Sequence, residues 1–130
     1  MKSPREHAKA LLAKAENDLI AATATLATGK ALDTVCFHAQ QAAEKSLKAL
    51  LALKDVPYPF RHDLGELIES VKLHYPLDAA LEAAVLTLAP YAVEVRYDEL
   101  MSPPPEEART ALDNARKTHA LAAKILGSST

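Results

Sequence analysis

Apolar residues return along this chain with the period of an α-helix, not that of a strand. Ala8, Leu11/Leu12, Ala15, Leu19, Ala22 and Leu26 fall on one face and predict a helix over about 4–28. Ser3-Pro4-Arg5-Glu6 reads as a capping box with proline at the first helical position, and Gly29 supplies the stop. Asp33 is placed to cap a second helix reaching about residue 54. In it, Cys36, Ala39, Ala43, Leu47 and Leu50 form an apolar face. At about 100° per residue, His38, Gln41, Lys45 and Lys48 gather on the other side. The pattern predicts a helix with one side buried and a stripe of chemistry on the other.

The next segment, 55–61, holds Pro57 and Pro59 and is expected to be extended. Asp63-Leu64-Gly65-Glu66 reads as a second capping box, opening a short helix to about residue 73 that buries Leu64, Leu67, Ile68 and Val71. A fourth helix is expected from near Leu77, with the seam Leu77, Leu81, Ala84/Val85 and Leu88. Pro90 predicts a kink, with helix continuing to about residue 97. Ser102 and the prolines at 103, 104 and 105 break the chain. Glu106 and Glu107 then sit at the favourable end of a fifth helix. Its inward positions are Ala108, Ala111/Leu112, Ala115, His119, Ala122 and Ile125. Five helices with short connections, without repeats or low-complexity tracts, predict an all-α, up-and-down bundle.

Composition sharpens this picture. Alanine and leucine dominate, 49% of residues are hydrophobic, and only 5% are aromatic, which favours closely packed helices over a sandwich or barrel. The formal net charge of -2 gives no global attraction to nucleic acid. The uncharged runs 19–29 and 83–93 are too short to span a bilayer, and the polar start of the chain does not read as a signal peptide. The single cysteine, Cys36, excludes an internal disulfide framework and fits a reducing cytoplasm.

Candidate chemistry lies in three places. Lys45 and Lys48, with His38 and Gln41, suit a phosphate or a base edge; the alternative is a solvated polar face. Phe37 projects toward that side, as expected of a surface covered by a second subunit. His62, in Arg61-His62-Asp63, either donates to a phosphate at a helix N-terminus or helps cap the helix. Arg96 follows Val85, Ala89 and Ala92 on a face of small or apolar residues. It is placed either to reach an acceptor in a groove or to form an ion pair with Glu94, Glu99 or another helix. Tyr97 is expected to pack, and His119 to be a hydrogen-bonded core residue. His7 and His74 are expected at the surface, and Cys36 as a small buried hydrophobe. The chain has no Glu-x-x-His for a di-iron bundle, no glycine-rich phosphate loop, no Gly-x-Ser-x-Gly elbow and no zinc spacing of Cys and His. No catalytic residue, metal ligand or cofactor is assigned.

The run from Phe37 to Leu51, with its Gln-Ala-Ala-Glu-Lys block, then Arg61-His62-Asp63-Leu64, then Tyr91 through Arg96-Tyr97, resembles the HEPN domain (higher eukaryotes and prokaryotes nucleotide-binding). The resemblance covers about 11–123 and implies a single HEPN-like domain over residues 1–130. It implies an up-and-down four-helix core with an additional short helix, and a homodimer. It also implies a small nucleotidyltransferase partner in a two-gene system of toxin–antitoxin type. Some members bind nucleotides; others are metal-independent ribonucleases with an Arg-x4-6-His motif. That motif is not matched: His119 lies far beyond Arg96 and too close behind Arg116, and His7 and His62 follow Arg5 and Arg61 too closely. Asp98 stands where relatives commonly carry proline. The leading expectation is a nucleotide-binding or accessory domain using His38, Gln41, Lys45, Lys48, His62 and Arg96, with nucleotide or RNA as ligand. The alternatives are a ribonuclease toxin and a purely structural dimeric adaptor.

Overall fold

The structure, a computed structural model, describes residues 2–58, 63–92 and 102–128. Among them are α1 (Pro4–Ala27), α2 (Leu32–Leu53), α3 (Leu64–Lys72), α4 (Ala79–Leu86) and α5 (Pro105–Ser128), with a 3₁₀ turn at Ala89–Tyr91 and no strand. None of these helices is long and apolar enough to cross a membrane.

Local chemistry sets most of the ends. Ser3 Oγ accepts from the Glu6 amide at 3.1 Å, and the Glu6 carboxylate accepts from the Ser3 amide at 3.2 Å, closing the expected capping box. The Ser3 amide, then its hydroxyl, hold the Glu6 carboxyl below its ordinary pKa. Gly29 ends the first turn in the left-handed region, φ 70°, its amide donating to Leu26 at 3.0 Å. The end of α2 is a Schellman motif: Val56 N–H donates to Leu51 and Asp55 N–H to Ala52, both at 2.9 Å. Asp55 takes the left-handed position, φ 57°, usually given to glycine.

Three boundaries differ from the sequence expectation. Asp33 does not cap α2; the N-cap is Ala31, left-handed at φ 53°, with no side-chain cap. Burial of Leu32 and Val35 pulls the helix start back by two residues and offsets a backbone cost of about 1–2 kcal/mol. The fourth helix begins after Asp78, whose carboxylate accepts from Leu81 N–H at 2.7 Å, rather than at Leu77. It stops at Leu86 instead of kinking onward through Pro90, and the expected continuation over 93–97 lies outside the described residues. Pro90 has no N–H to offer the carbonyl one turn back, at Leu86, and its ring crowds that carbonyl, so the chain tightens into the 3₁₀ turn.

Contacts far apart in sequence give the topology. Asp18 meets Lys45 and His38, and His7 meets Tyr58, so α2 runs antiparallel to α1. Arg5 reaches the Leu126 carbonyl and Arg116 reaches Thr23, so α5 is also antiparallel to α1. Asn114 donates to Thr87 and Tyr91 to Glu107, so α4 and its 3₁₀ extension run against α5. Helices α1, α2, α4 and α5 are the legs of an up-and-down four-helix bundle, and α3 is the additional short helix. It buries Leu64, Leu67, Ile68 and Val71.

Alanine sets how closely the helices approach. Ala8, Ala15 and Ala22 of α1, and Ala108, Ala115 and Ala122 of α5, recur every seventh residue and are fully buried. With only a methyl group at each site, neighbouring backbones come close, and Leu47, Leu50, Leu51, Leu67, Ile68, Leu88 and Leu112 fill the rest of the core. On α5 the inward stripe is shifted from expectation: Thr118 and Leu126 are buried, whereas His119 and Ile125 are half-buried. Thr118 is accommodated because its hydroxyl donates to the Asn114 carbonyl at 2.9 Å.

Candidate functional site

Helix α2 is not the one-sided helix that its pattern suggests. Fourteen of its 22 residues are buried, so neighbours cover it around most of its circumference. The polar stripe therefore meets protein as well as solvent, and each of its charges has a partner in the same chain.

Asp18, on α1, is the organising residue. It lies on the buried seam between Ala15 and Ala22, and its side chain is 11% exposed. One carboxylate oxygen receives His38 Nδ1 at 2.8 Å; the other receives Lys45 Nζ at 2.6 Å. The imidazole and the ammonium remain about a quarter exposed (26% each), so the carboxylate is underneath and the two donors are at the rim. A donor at His38 Nδ1 leaves Nε2 as the ring atom available for other chemistry.

One turn along, a second cluster forms around Glu44, which is 3% exposed. Its carboxylate accepts from Gln40 Nε2 at 3.1 Å and from Lys48 Nζ at 3.1 Å. Gln41 Nε2 donates to Gln40 Oε1 at 2.6 Å. The Lys48 ammonium also lies 5.4 Å from the centre of the Tyr58 ring, whose hydroxyl is 3.0 Å from His7 Nε2. His7 is therefore half-buried and engaged rather than a free surface residue. Among the described residues every buried side-chain nitrogen or oxygen has a hydrogen-bond partner.

Of the residues singled out from sequence, the structure brings together His38 and Lys45 at one carboxylate, and Gln41 and Lys48 around Gln40 and Glu44. His62 and Arg96, with Arg61, Tyr97 and Asp98, lie outside the described residues. The sequence reading missed Asp18, Gln40, Glu44 and Tyr58. Asp18 had a legible signal, a carboxylate on an apolar seam, which requires a cationic partner on the facing helix. Phe37 is half-buried with its ring edge-on to His38, 5.5 Å between centres. Cys36 is fully buried, as expected of a small hydrophobe. Among the described residues no group of three His, Cys, Asp or Glu is placed to hold a metal ion.

Comparison with known proteins places this geometry in context. The sequence model of the HEPN domain matches residues 8–126. No curated protein matches. Among solved structures, TT1696 from Thermus thermophilus is similar at 27% identity and a TM-score of 0.80, over 91% of this chain and 97% of that one. ST0689, an archaeal HEPN homologue, is similar in fold at 20% identity and a TM-score of 0.75, over 97% and 99% of the two chains. A HEPN domain protein from Thermotoga maritima, tm0613, gives 20% identity and a TM-score of 0.74, over 90% and 97%.

Proposed function

We propose, on the premise that the chain belongs to the HEPN domain family, that it is a nucleotide-binding accessory domain. In this reading it is cytoplasmic and homodimeric, and works with a small nucleotidyltransferase in a pair of toxin–antitoxin type. The phosphate contact is made on the α1–α2 face by Lys45 and His38, with Lys48 and Gln41 beside them.

One observation supports this most. Asp18 holds the Lys45 ammonium and the His38 ring at the rim of the same small cluster, so two donors are ordered before any ligand arrives. Lys45 uses one of its three N–H donors on Asp18; a phosphate oxygen takes another. His38, tied down through Nδ1, meets the phosphate as a donor through Nε2 when the ring is protonated. This arrangement binds. It contains no glycine-rich loop to wrap a triphosphate, and the family's ribonuclease motif is not matched, so no catalytic role is assigned to any residue.

A second reading, the structural dimeric adaptor, is favoured by a different fact: the cations of the stripe already have carboxylates, Asp18 and Glu44, within the chain. Calorimetry separates the two. Titration with ATP, GTP and short RNA should give binding that weakens with salt. Lys45→Ala should lower affinity roughly tenfold, the loss of one charge-assisted phosphate contact. No binding at millimolar ligand, or unchanged binding by Lys45→Ala, would leave the adaptor.

A further inference from the structure

A large opening among the described residues lies away from the α1–α2 face. It is set between the last turn of α2, the segment after α3, and the C-terminal half of α5. Its volume is about 590 Å³, within the range of roughly 300–1,000 Å³ usual for small-molecule sites.

The chemistry of its walls is uneven in an informative way. Leu53, Leu121, Ile125 and the ring of Tyr75 supply a half-buried apolar surface. Tyr75 is fixed in place: its hydroxyl donates at 3.1 Å to the carbonyl of Leu50, one of the last carbonyls of α2. Burial pushes the phenol pKa up, which keeps this donor protonated. The charged lining residues, Lys54 and Lys124, are both cationic, and among the described residues no carboxylate lines the opening. The Lys54 ammonium lies 5.4 Å from the centre of the Tyr75 ring, so the charge stands directly beside the aromatic wall.

From this juxtaposition we infer that the groove binds a small amphiphilic carboxylate. Its alkyl or aryl body packs on Leu53, Tyr75, Leu121 and Ile125, and its carboxylate faces Lys54 at the rim. Apolar walls supply the affinity and the cation sets orientation, the usual division of labour in such pockets. The site is separate from the Lys45 cluster and does not depend on its role.

Sodium octanoate is the probe, titrated into the full chain and followed by amide chemical shifts. Saturable shifts confined to Leu53, Lys54, Tyr75, Leu121, Lys124 and Ile125 are expected. Octanol, which lacks the charge, should bind about two- to fivefold more weakly, the scale of one exposed ion pair. Hexanoate should be weaker still, because each methylene withdrawn from water is worth up to about fourfold. Lys54→Gln should bring octanoate down to the octanol level while amide shifts away from the groove show the fold intact. Leu121→Asp should remove binding of both. Equal affinity for octanoate and octanol would overturn the inference, as would Lys54→Gln binding like the parent or shifts centred elsewhere. Concentration-dependent shifts of the same resonances without octanoate would also overturn it, since a second copy of the chain would then be the occupant.

Discussion

Replacing Asp18 by alanine tests how the first two helices are held in register. The carboxylate makes two charge-assisted contacts, to His38 Nδ1 and Lys45 Nζ, and is itself only 11% exposed. Breaking a fully buried ion pair costs about 3–5 kcal/mol, because a charge is stranded away from water. An exposed pair contributes about 0–1 kcal/mol. Here the partners left behind are each 26% exposed and can turn toward solvent, so the cost falls between, near 2 kcal/mol. For a chain of this size that lowers the thermal midpoint by about 6–10 °C. Urea unfolding followed by far-UV circular dichroism reads it as a lower midpoint at constant slope. A double-mutant cycle supplies the sharper check. Lys45→Met removes the stranded ammonium, so Asp18→Ala/Lys45→Met should be less destabilised than the sum of the single changes by about 1 kcal/mol. If Asp18→Ala costs less than about 0.5 kcal/mol, the range of an ordinary surface change, or if the two substitutions are additive, Asp18 does not organise this face.

Other outcomes follow from the same structure. Ala31→Gly relieves a left-handed alanine and should stabilise by about 0.5–1 kcal/mol, measurable as a higher thermal midpoint. Ala115→Leu overfills a fully buried methyl site between closely packed helices and should destabilise by about 1–3 kcal/mol or more, read by chemical denaturation. Leu47→Ala, at a fully enclosed core position, should cost about 2–5 kcal/mol by the same measurement. Tyr75→Phe should cost about 1 kcal/mol, the hydroxyl contact to Leu50 being lost. The raised pKa of Tyr75 gives this contact a pH signature. The folded state holds the phenolic proton more tightly than the unfolded one, so its contribution is whole below the ordinary value of 10.0 and is lost as pH rises through the folded value. The alkaline loss of stability should therefore be smaller in Tyr75→Phe.

What the chain determined by itself is its local punctuation and its faces. Ser3 with Glu6, and Gly29, act on backbone groups within about one helical turn, so their effects can be read without knowing the rest of the molecule. The same holds for the grouping of His38, Gln41, Lys45 and Lys48, which follows from helical geometry alone. The failures are of another kind. Asp33 looked like a cap, but burial of Leu32 by other helices decided where α2 begins. His7 looked like a surface residue until the segment after α2 brought Tyr58 onto it. Above all, the sequence showed the stripe but not what it faces. Asp18 and Lys45 are 27 residues apart on different helices, and nothing in either helix specifies the offset at which two antiparallel helices pack. That offset is set where Ala8, Ala15 and Ala22 let α1 approach its neighbours and the leucines of α2 fill the remaining space. Only this tertiary register turned a row of polar residues into two clusters with fixed partners, because pairing depends on distance in space and helical periodicity supplies only direction.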